Sequence, residues 1–559
     1  MTAPSSQSSP QVRLVVLMIS AGCLFAALLA RLWFLQVVNA PSAQVAATNN
    51  GVRYVYNAAP RGDILDVNGN VLVGKVTVPV IEVSRQTAAT DPAMVARLAA
   101  LIGMTTKQLN QAINNLQYSP YAPVPVLTEA TPQQILHVQE NPALFPGVSA
   151  TTETQSEYSA LGKATANIVG YVGQIDASQY AQLKSKGYQP GDQIGETGIE
   201  AQYESVLRGT PGVEKVAVDA RGDVLSVLSS TPPIPGDSIR LTIDGKVQEA
   251  ALQALEAGEV SARHVIDPVT HRDFAAPDGA VVVQRPSDGT IVALATNPDY
   301  DPSLFVGGIS SANYAKLQSP SADDPLLDRT IAGLYNPGST FKLVTATAGF
   351  KYGLITPTST FDDTGGVKVG TGPGSQFFSN DNHAAYGVVN VQQAITVSSD
   401  AFFYNIGLQL YEGRARFGDT ALQQVANAYG FASHTGIDLP GGASGYVLTP
   451  AQKAKLHAQF PKDYPYATWF PGDNVQSAVG EDDVVVTPLQ EANAYSAFAN
   501  GGTLWTPRLA QDAETPAGKV TKSYTSKPIR RITLPPQDHA AMLNGFIGVA
   551  NSGGGTAYK

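Results

Sequence analysis

Seventeen consecutive residues without a charge, Leu14 to Ala30 (LVVLMISAGCLFAALLA), constrain this chain more than any other segment. The apolar character resumes after Arg31 through LWFLQVV. As one helix, residues 14–38 would be about 37 Å long and would cross a hydrocarbon core of about 30 Å. Arg31 would snorkel to the interface near one end, with Trp33 in the aromatic belt. A cleaved signal peptide with Arg13 as its n-region fits less well, because the run is long and no clear A-x-A site follows. The charges mark orientation poorly, since Arg13 precedes the run while Arg31, Arg53 and Arg61 follow it. Cysteine usage says more. Cys23 is the only cysteine and lies inside the run, so the rest of the chain carries no thiol, which suits an oxidising compartment. The expectation is a short cytoplasmic tail (1–11), one transmembrane anchor (12–38) and a large body outside the cytoplasm.

That body is too long for one ordinary core. A net charge of -10 without a run of Lys or Arg leaves no electrostatic footprint for nucleic acid, and that class is excluded. The seven histidines include no H-E-x-x-H and no pair at zinc spacing, so neither a metal nor a cofactor is expected. HRDF at 271 lacks the asparagine and glycine pattern of a kinase, and GTGPG at 370–374 reads as a loop. From Gly51 to about Pro235, short β-like runs (VRYVYN, NIVGYVGQI, VEKVAVD) mix with modest helical ones (PAMVARLAALIG, TPQQILHVQ). Turns such as DVNGN, KGYQPGD and ARGD punctuate them. An elongated α+β module over 51–235 is predicted, with STPPIPGDS (230–238) as its boundary. Beyond it, SIRLTIDGKVQEAALQALEAG reads as strand, turn and amphipathic helix, and GAVVVQRPSDGTIVALATNP as a hairpin around Ser287-Asp288-Gly289. Residues 335 to about 411 read as mainly helix and loop. The whole is an α+β protein in which a helical layer packs on a strand layer.

The segment NPGSTFK (336–342) places Ser339 after Pro-Gly, at the head of the apolar run STFKLVTATAGF, with Lys342 one turn on and on the same face. A serine hydroxyl needs a base to become a nucleophile, and a lysine serves only when neutral, a form that burial favours. Backbone N–H groups at a helix start point to where an oxyanion would form. The plain alternative is a helix cap and a surface lysine. Against it, this is the only S-x-x-K in the chain, and its lysine sits in an apolar helix. Sixty residues on, TVSSDAFFYNIG supplies Ser398 and Asp400 ahead of an aromatic helix, as the second element of an S-x-x-K, S-D-N, K-T-G set.

With these motifs the chain resembles a class B, monofunctional penicillin-binding protein, a peptidoglycan D,D-transpeptidase. The resemblance runs through RLWFLQV, RGDILDVNGNVL (61–72), IGETGIEAQYESVLRGTPG (194–212) and SIRLTID (238–244). It continues through NPGSTFKLVTA, HTGIDLPG (434–441), WFPGDNVQSAVG (469–480) and TPLQEANAYSAFANGG (487–502). It implies a non-catalytic pedestal domain (51–235) and a transpeptidase domain (236–559) with an antiparallel sheet packed against helices. Ser339 would be the acylated nucleophile, Lys342 its general base, and Ser398 the proton relay to the leaving amine. Asp400, where asparagine is commoner, resembles the elongation branch, and its charge would hold Lys342 as an ammonium. The implied substrates are D-Ala-D-Ala stem peptides, with β-lactams acylating the same serine. The implied partner is a membrane glycan polymerase, and the implied location is a bacterial cell membrane.

No lysine here is followed by Thr-Gly or Ser-Gly, and His434-Thr435-Gly436 fits the TGIDLPG segment instead. The closing GFIGVANSGGGTAYK resembles the stretch before the third motif, so the expectation is a record that stops short of that strand. Two other readings stay open. A β-lactam hydrolase or sensor would share the chemistry, although no E-x-x-L-N-like segment follows Ser398. A catalytically incomplete scaffold of the elongation machinery would use the pedestal alone.

Overall fold

A computed structural model describes residues 10–34, 36, 51–114, 123–218, 224–267 and 270–558. The expected tail up to residue 9, the expected end of the anchor at 37–38 and the ARGD turn at 220–223 lie outside them. Packing divides the chain into two units. The first comprises residues 1–59, 120–122 and 210–234. Its helix Pro10–Trp33 is long and apolar enough to cross a membrane, with mean hydropathy 2.4 and none of the span buried. Its sheet is antiparallel, with Val52–Asn57 on Gly212–Val218 and that strand on Val224–Thr231. Tyr54, Tyr56, Leu225, Val227 and Leu228 stand exposed on it.

The second unit comprises residues 60–119, 123–209 and 235–559. In its first part the long strand Val71–Val83 pairs over eleven positions with Val148–Tyr158, and at its end with Val124–Thr128. The helices Pro92–Ile102, Thr106–Ile113 and Pro132–Glu140 cover this sheet. Each begins on a side chain that accepts from the backbone, Asp91, Thr105 or Thr131, so a donor otherwise unpaired is satisfied at each start. Their apolar faces meet in a core of Met94, Leu98, Leu109, Val124 and Phe145.

Segments far apart in sequence continue the same sheet, in which Ile64–Leu65 pairs antiparallel with Val71–Val83. Ser238–Leu241 runs parallel to Ile64–Leu65 on one side and antiparallel to Ala510–Glu514 on the other. The core beneath combines Ile64, Leu72, Ile239, Leu241, Leu294, Leu489 and Leu509. Polar ties reinforce it. Arg61 is ion-paired with Glu200 and, at 2.8 Å, with Glu204. Glu204 also accepts from the Tyr188 hydroxyl (2.8 Å) and the Gly195 N–H (3.0 Å). Burial alone would weaken the Arg61 proton, but Glu200 and Glu204 hold its pKa above the ordinary arginine value. Asp438 accepts from the Tyr203 hydroxyl and from the N–H groups of Leu509 and Ala510, at 2.6–2.8 Å.

The predicted strand–turn–helix appears as Ser238–Leu241 followed by the helix Gly245–Ala262, which the Asp244 side chain caps. The predicted hairpin is formed by Gly279–Gln284 and Ile291–Asn297. One reading gains detail and one needs correction. Within 335–411, mainly helix and loop as read, four strands of four residues each pair as Thr360–Asp363 with Gly387–Asn390 and Gly366–Val369 with Gln376–Ser379. At four residues each strand lies at the lower limit of the length over which alternation is legible. The β-like run NIVGYVGQI begins inside the helix Gly162–Val169, where Ile168 and Val169 are buried, and only Val172–Gln174 is strand. Arg61→Ala would leave two carboxylates without their cation, and the expected cost is about 3–5 kcal/mol, read as a lowered midpoint in thermal unfolding.

Candidate active site

The segment around Ser339 is held from several directions. Tyr335 exchanges both backbone hydrogen bonds with Val486, at 2.9 and 3.0 Å, and the Asn336 side chain donates to the carbonyls of Asp482 and Val484. Gly338 has φ +55°, a conformation open to glycine and strained for a residue with a β-carbon. Its N–H donates to the carbonyl of Gly480 at 3.0 Å. A β-carbon on Gly480 would lie 2.4 Å from the Gly338 carbonyl oxygen, so this approach requires glycine there. Ser339 is exposed. It sits in a 3₁₀ turn, Gly338–Phe341, and the α-helix begins only at Lys342. The sequence reading placed the helix start at Ser339; the tighter turn already commits the Thr340 N–H to the Pro337 carbonyl at 3.3 Å.

Lys342 through Gly349 are all buried. The Lys342 side chain is only 3% exposed, and its Nζ donates to the Ser398 carbonyl (2.9 Å), Ser398 Oγ (2.8 Å) and Asp400 Oδ1 (2.7 Å). Ser398 Oγ in turn donates to Ser339 Oγ at 2.9 Å. All four residues read from the sequence therefore meet in one hydrogen-bonded chain, in which Ser339 reaches Lys342 through Ser398. Burial lowers the Lys342 pKa and Asp400 opposes this by Coulomb attraction and hydrogen bonding; the net direction is down. The two opposing effects expected from the sequence are both present, and burial is the larger. Glu481, at the mouth of the turn, is pushed up by burial and by the charges of Asp482 and Asp400.

Ser398 adopts φ +56°, rare for a residue with a β-carbon, between the helix Val391–Thr396 and the helix Asp400–Glu412. The turn is tied back by Ser398 N–H to the Ile395 carbonyl and Ser399 N–H to the Ala394 carbonyl. Beneath it lies Asp363, 1% exposed, which accepts from Ser399 Oγ, from the Gly365 N–H at 2.9 Å and from Asn380 Nδ2 at 2.9 Å to each oxygen. Asn380 Oδ1 receives the Ala401 N–H at 2.7 Å. Sequence reasoning missed Asp363 and Asn380, which carry no motif. The available signal was Ser399 as a cap ahead of an apolar helix, and it shows the helix start without showing what lies under it. His434 and Thr435 line a separate cavity of about 90 Å³ with Gln490 and Arg530, which includes none of the four site residues.

Comparison with known proteins agrees with this architecture. Residues 56–241 match the penicillin-binding protein dimerisation domain and residues 279–559 the penicillin-binding protein transpeptidase domain. The chain is 30% identical to the peptidoglycan D,D-transpeptidase MrdA of Salmonella typhimurium (strain LT2), over 96% of this chain and 81% of that protein. It is 25% identical to the stage V sporulation protein D of Bacillus subtilis, over 98% and 76%. Its fold matches the penicillin-binding protein PBP2 of Helicobacter pylori in complex with MreC at a TM-score of 0.73, with 23% identity over 91% of this chain and 86% of that one. PBP2 of Pseudomonas aeruginosa in complex with WCK 5153 matches at 0.62, with 26% identity over 90% and 82%. The chain belongs to the penicillin-binding protein family. Within that family it is a class B, monofunctional member of the elongation type.

Asp363→Ala would orphan the buried donors of Asn380, Ser399 and Gly365. The expected loss is about 3 kcal/mol or more, measured by denaturant unfolding.

Proposed function

We propose that this chain is a peptidoglycan D,D-transpeptidase that cross-links stem peptides through an acyl-enzyme on Ser339. The observation that carries this reading is the continuous chain Ser339–Ser398–Lys342–Asp400, which joins an exposed hydroxyl to a buried amine whose pKa is lowered. Ser339 Oγ attacks the carbonyl carbon of the penultimate D-alanine of a D-Ala-D-Ala stem, and its proton passes through Ser398 to neutral Lys342. The C–N bond to the terminal D-alanine then breaks. The proton returns along the same path to the leaving amine, and Ser339 is left as an ester. The amine of a neighbouring stem attacks that ester, the new amide forms, the C–Oγ bond breaks, and Ser339 recovers a proton. A β-lactam enters as the amide that is opened, and its acyl group stays on Ser339.

In this reading residues 51–235 act as the pedestal and 236–559 as the transpeptidase domain. The apolar helix Pro10–Trp33 anchors the protein once in the membrane, with both domains outside the cytoplasm. One solved structure of similar fold is described as a peptidoglycan synthase complex that coordinates polymerization and crosslinking. A membrane glycan polymerase is the corresponding partner proposed for this chain.

Ser339→Ala is expected to abolish covalent labelling by a fluorescent penicillin, read on a denaturing gel; persistent labelling would refute the assignment. Lys342→Ala should slow acylation by about 10²–10⁴-fold. In Asp400→Asn the carboxylate that supports the Lys342 ammonium is gone while burial persists. The Lys342 pKa should fall further, and the acid limb of the acylation rate should move to lower pH. A shift to higher pH would mean that Asp400 does not act on Lys342 by charge.

A further inference from the structure

Gly338 stands directly before the nucleophile and is the softest residue of its turn, since a glycine backbone passes between left- and right-handed conformations at little cost. An aimed Ser339 therefore needs restraint from outside the turn. On the upstream side the Gly338 N–H donates to the Gly480 carbonyl at 3.0 Å, which fixes the peptide plane Pro337–Gly338. On the downstream side the Tyr495 hydroxyl donates to the Thr340 carbonyl at 2.8 Å, which fixes the plane Thr340–Phe341. Only the dihedral angles of residues 338–340 lie between the two planes. The Thr340 N–H, bonded to the Pro337 carbonyl at 3.3 Å, closes that loop.

Tyr495 is itself held in place. It lies on the helix Pro488–Ala499, which is tied to its surroundings along its length. Gln490 donates to the carbonyls of Ser433 and Ser444, Asn493 donates to the carbonyl of Trp505, and Ser496 Oγ donates to Gln284. The Tyr495 ring meets the Phe546 ring edge to face, with centroids 5.4 Å apart, so the helix Pro536–Asn551 steadies the ring as well. The hydroxyl is thus delivered to the Thr340 carbonyl by a rigid element. Its hydrogen bond goes to backbone and to no reacting group.

We propose that Tyr495 is a positioning residue for acylation: its hydroxyl holds the Thr340 carbonyl, and through that peptide plane the angle at which Ser339 presents Oγ to the substrate carbonyl carbon. The inference rests on the transpeptidase reading of Ser339. It also accounts for a polar contact that stability alone does not require, because Thr340 is exposed and water could bond its carbonyl in place of the phenol. The role of Tyr495 is orientation, and no proton of the reaction passes through it.

Pre-steady-state acylation of the full chain by a fluorescent penicillin, resolved into an initial dissociation constant and an acylation rate, tests this. Tyr495→Phe keeps the ring and removes only the hydroxyl, so its melting temperature should stay within about 3 °C of the parent. Its acylation rate should fall about tenfold at an unchanged dissociation constant. Ser496→Ala breaks the bond to Gln284 on the same helix and should leave the acylation rate within about twofold of the parent. A phenylalanine variant as fast as the parent would overturn the inference, as would one whose melting temperature drops together with its rate or whose loss lies in the dissociation constant. A Ser496→Ala variant slowed as much as the phenylalanine one would overturn it too, since the effect would then belong to the helix as a whole. A parent protein that takes no label overturns the transpeptidase reading itself, and this inference with it.

Discussion

The buried amino group of Lys342 is the constraint around which the site is arranged. An ammonium in an apolar helix core has to be satisfied or neutralised. Here three oxygens from one short stretch, the Ser398 carbonyl, Ser398 Oγ and Asp400 Oδ1, gather around it. That stretch reaches Lys342 only because Ser398 takes a left-handed φ, and this conformation persists because Asp363 and Asn380 hold the turn from below. The same oxygens that satisfy the amine connect it to the exposed hydroxyl of Ser339. Satisfying the buried amine and joining it to an exposed hydroxyl are thus one geometric solution.

The surrounding fold keeps that solution rigid by joining segments from opposite ends of the chain. Arg61 meets Glu200 and Glu204, and Asp438 ties Tyr203 to the backbone of Leu509 and Ala510. Each is a buried, directional contact that only one register satisfies, whereas the apolar core would tolerate several. The strand Ser238–Leu241, bonded to residue 64 on one side and residue 513 on the other, makes the early and late parts of the sequence one packing unit.

Much of this was legible where the signal is local. The apolar run, the strand, turn and helix of SIRLTIDGKVQEAALQALEAG, the hairpin around Ser287-Asp288-Gly289 and the helices Pro92–Ile102 and Pro132–Glu140 depend on residues within a few positions of one another. They appear where the sequence places them. Ser339 and Lys342 stood out for the same reason, as the one S-x-x-K of the sequence, although Ser339 lies in the 3₁₀ turn ahead of the helix that begins at Lys342. The paired strands of 360–390 were not legible, because each has only four residues and gains its order from its partner. Asp363 and Asn380 were equally hidden, because a carboxyl or amide becomes part of a site only through what packs over it.

The sequence by itself therefore determined the local elements, the apolar helix near the N-terminus, and the close spacing of Ser339 and Lys342, because covalent spacing is enough for each. The tertiary structure decided the rest. Lys342 is three residues from Ser339, yet it is joined to it through a hydroxyl 56 residues away along the chain. Its basicity is set by the competition between burial and the charge of Asp400. Burial and through-space charge are properties of the packed chain, and neither exists until distant segments have come together.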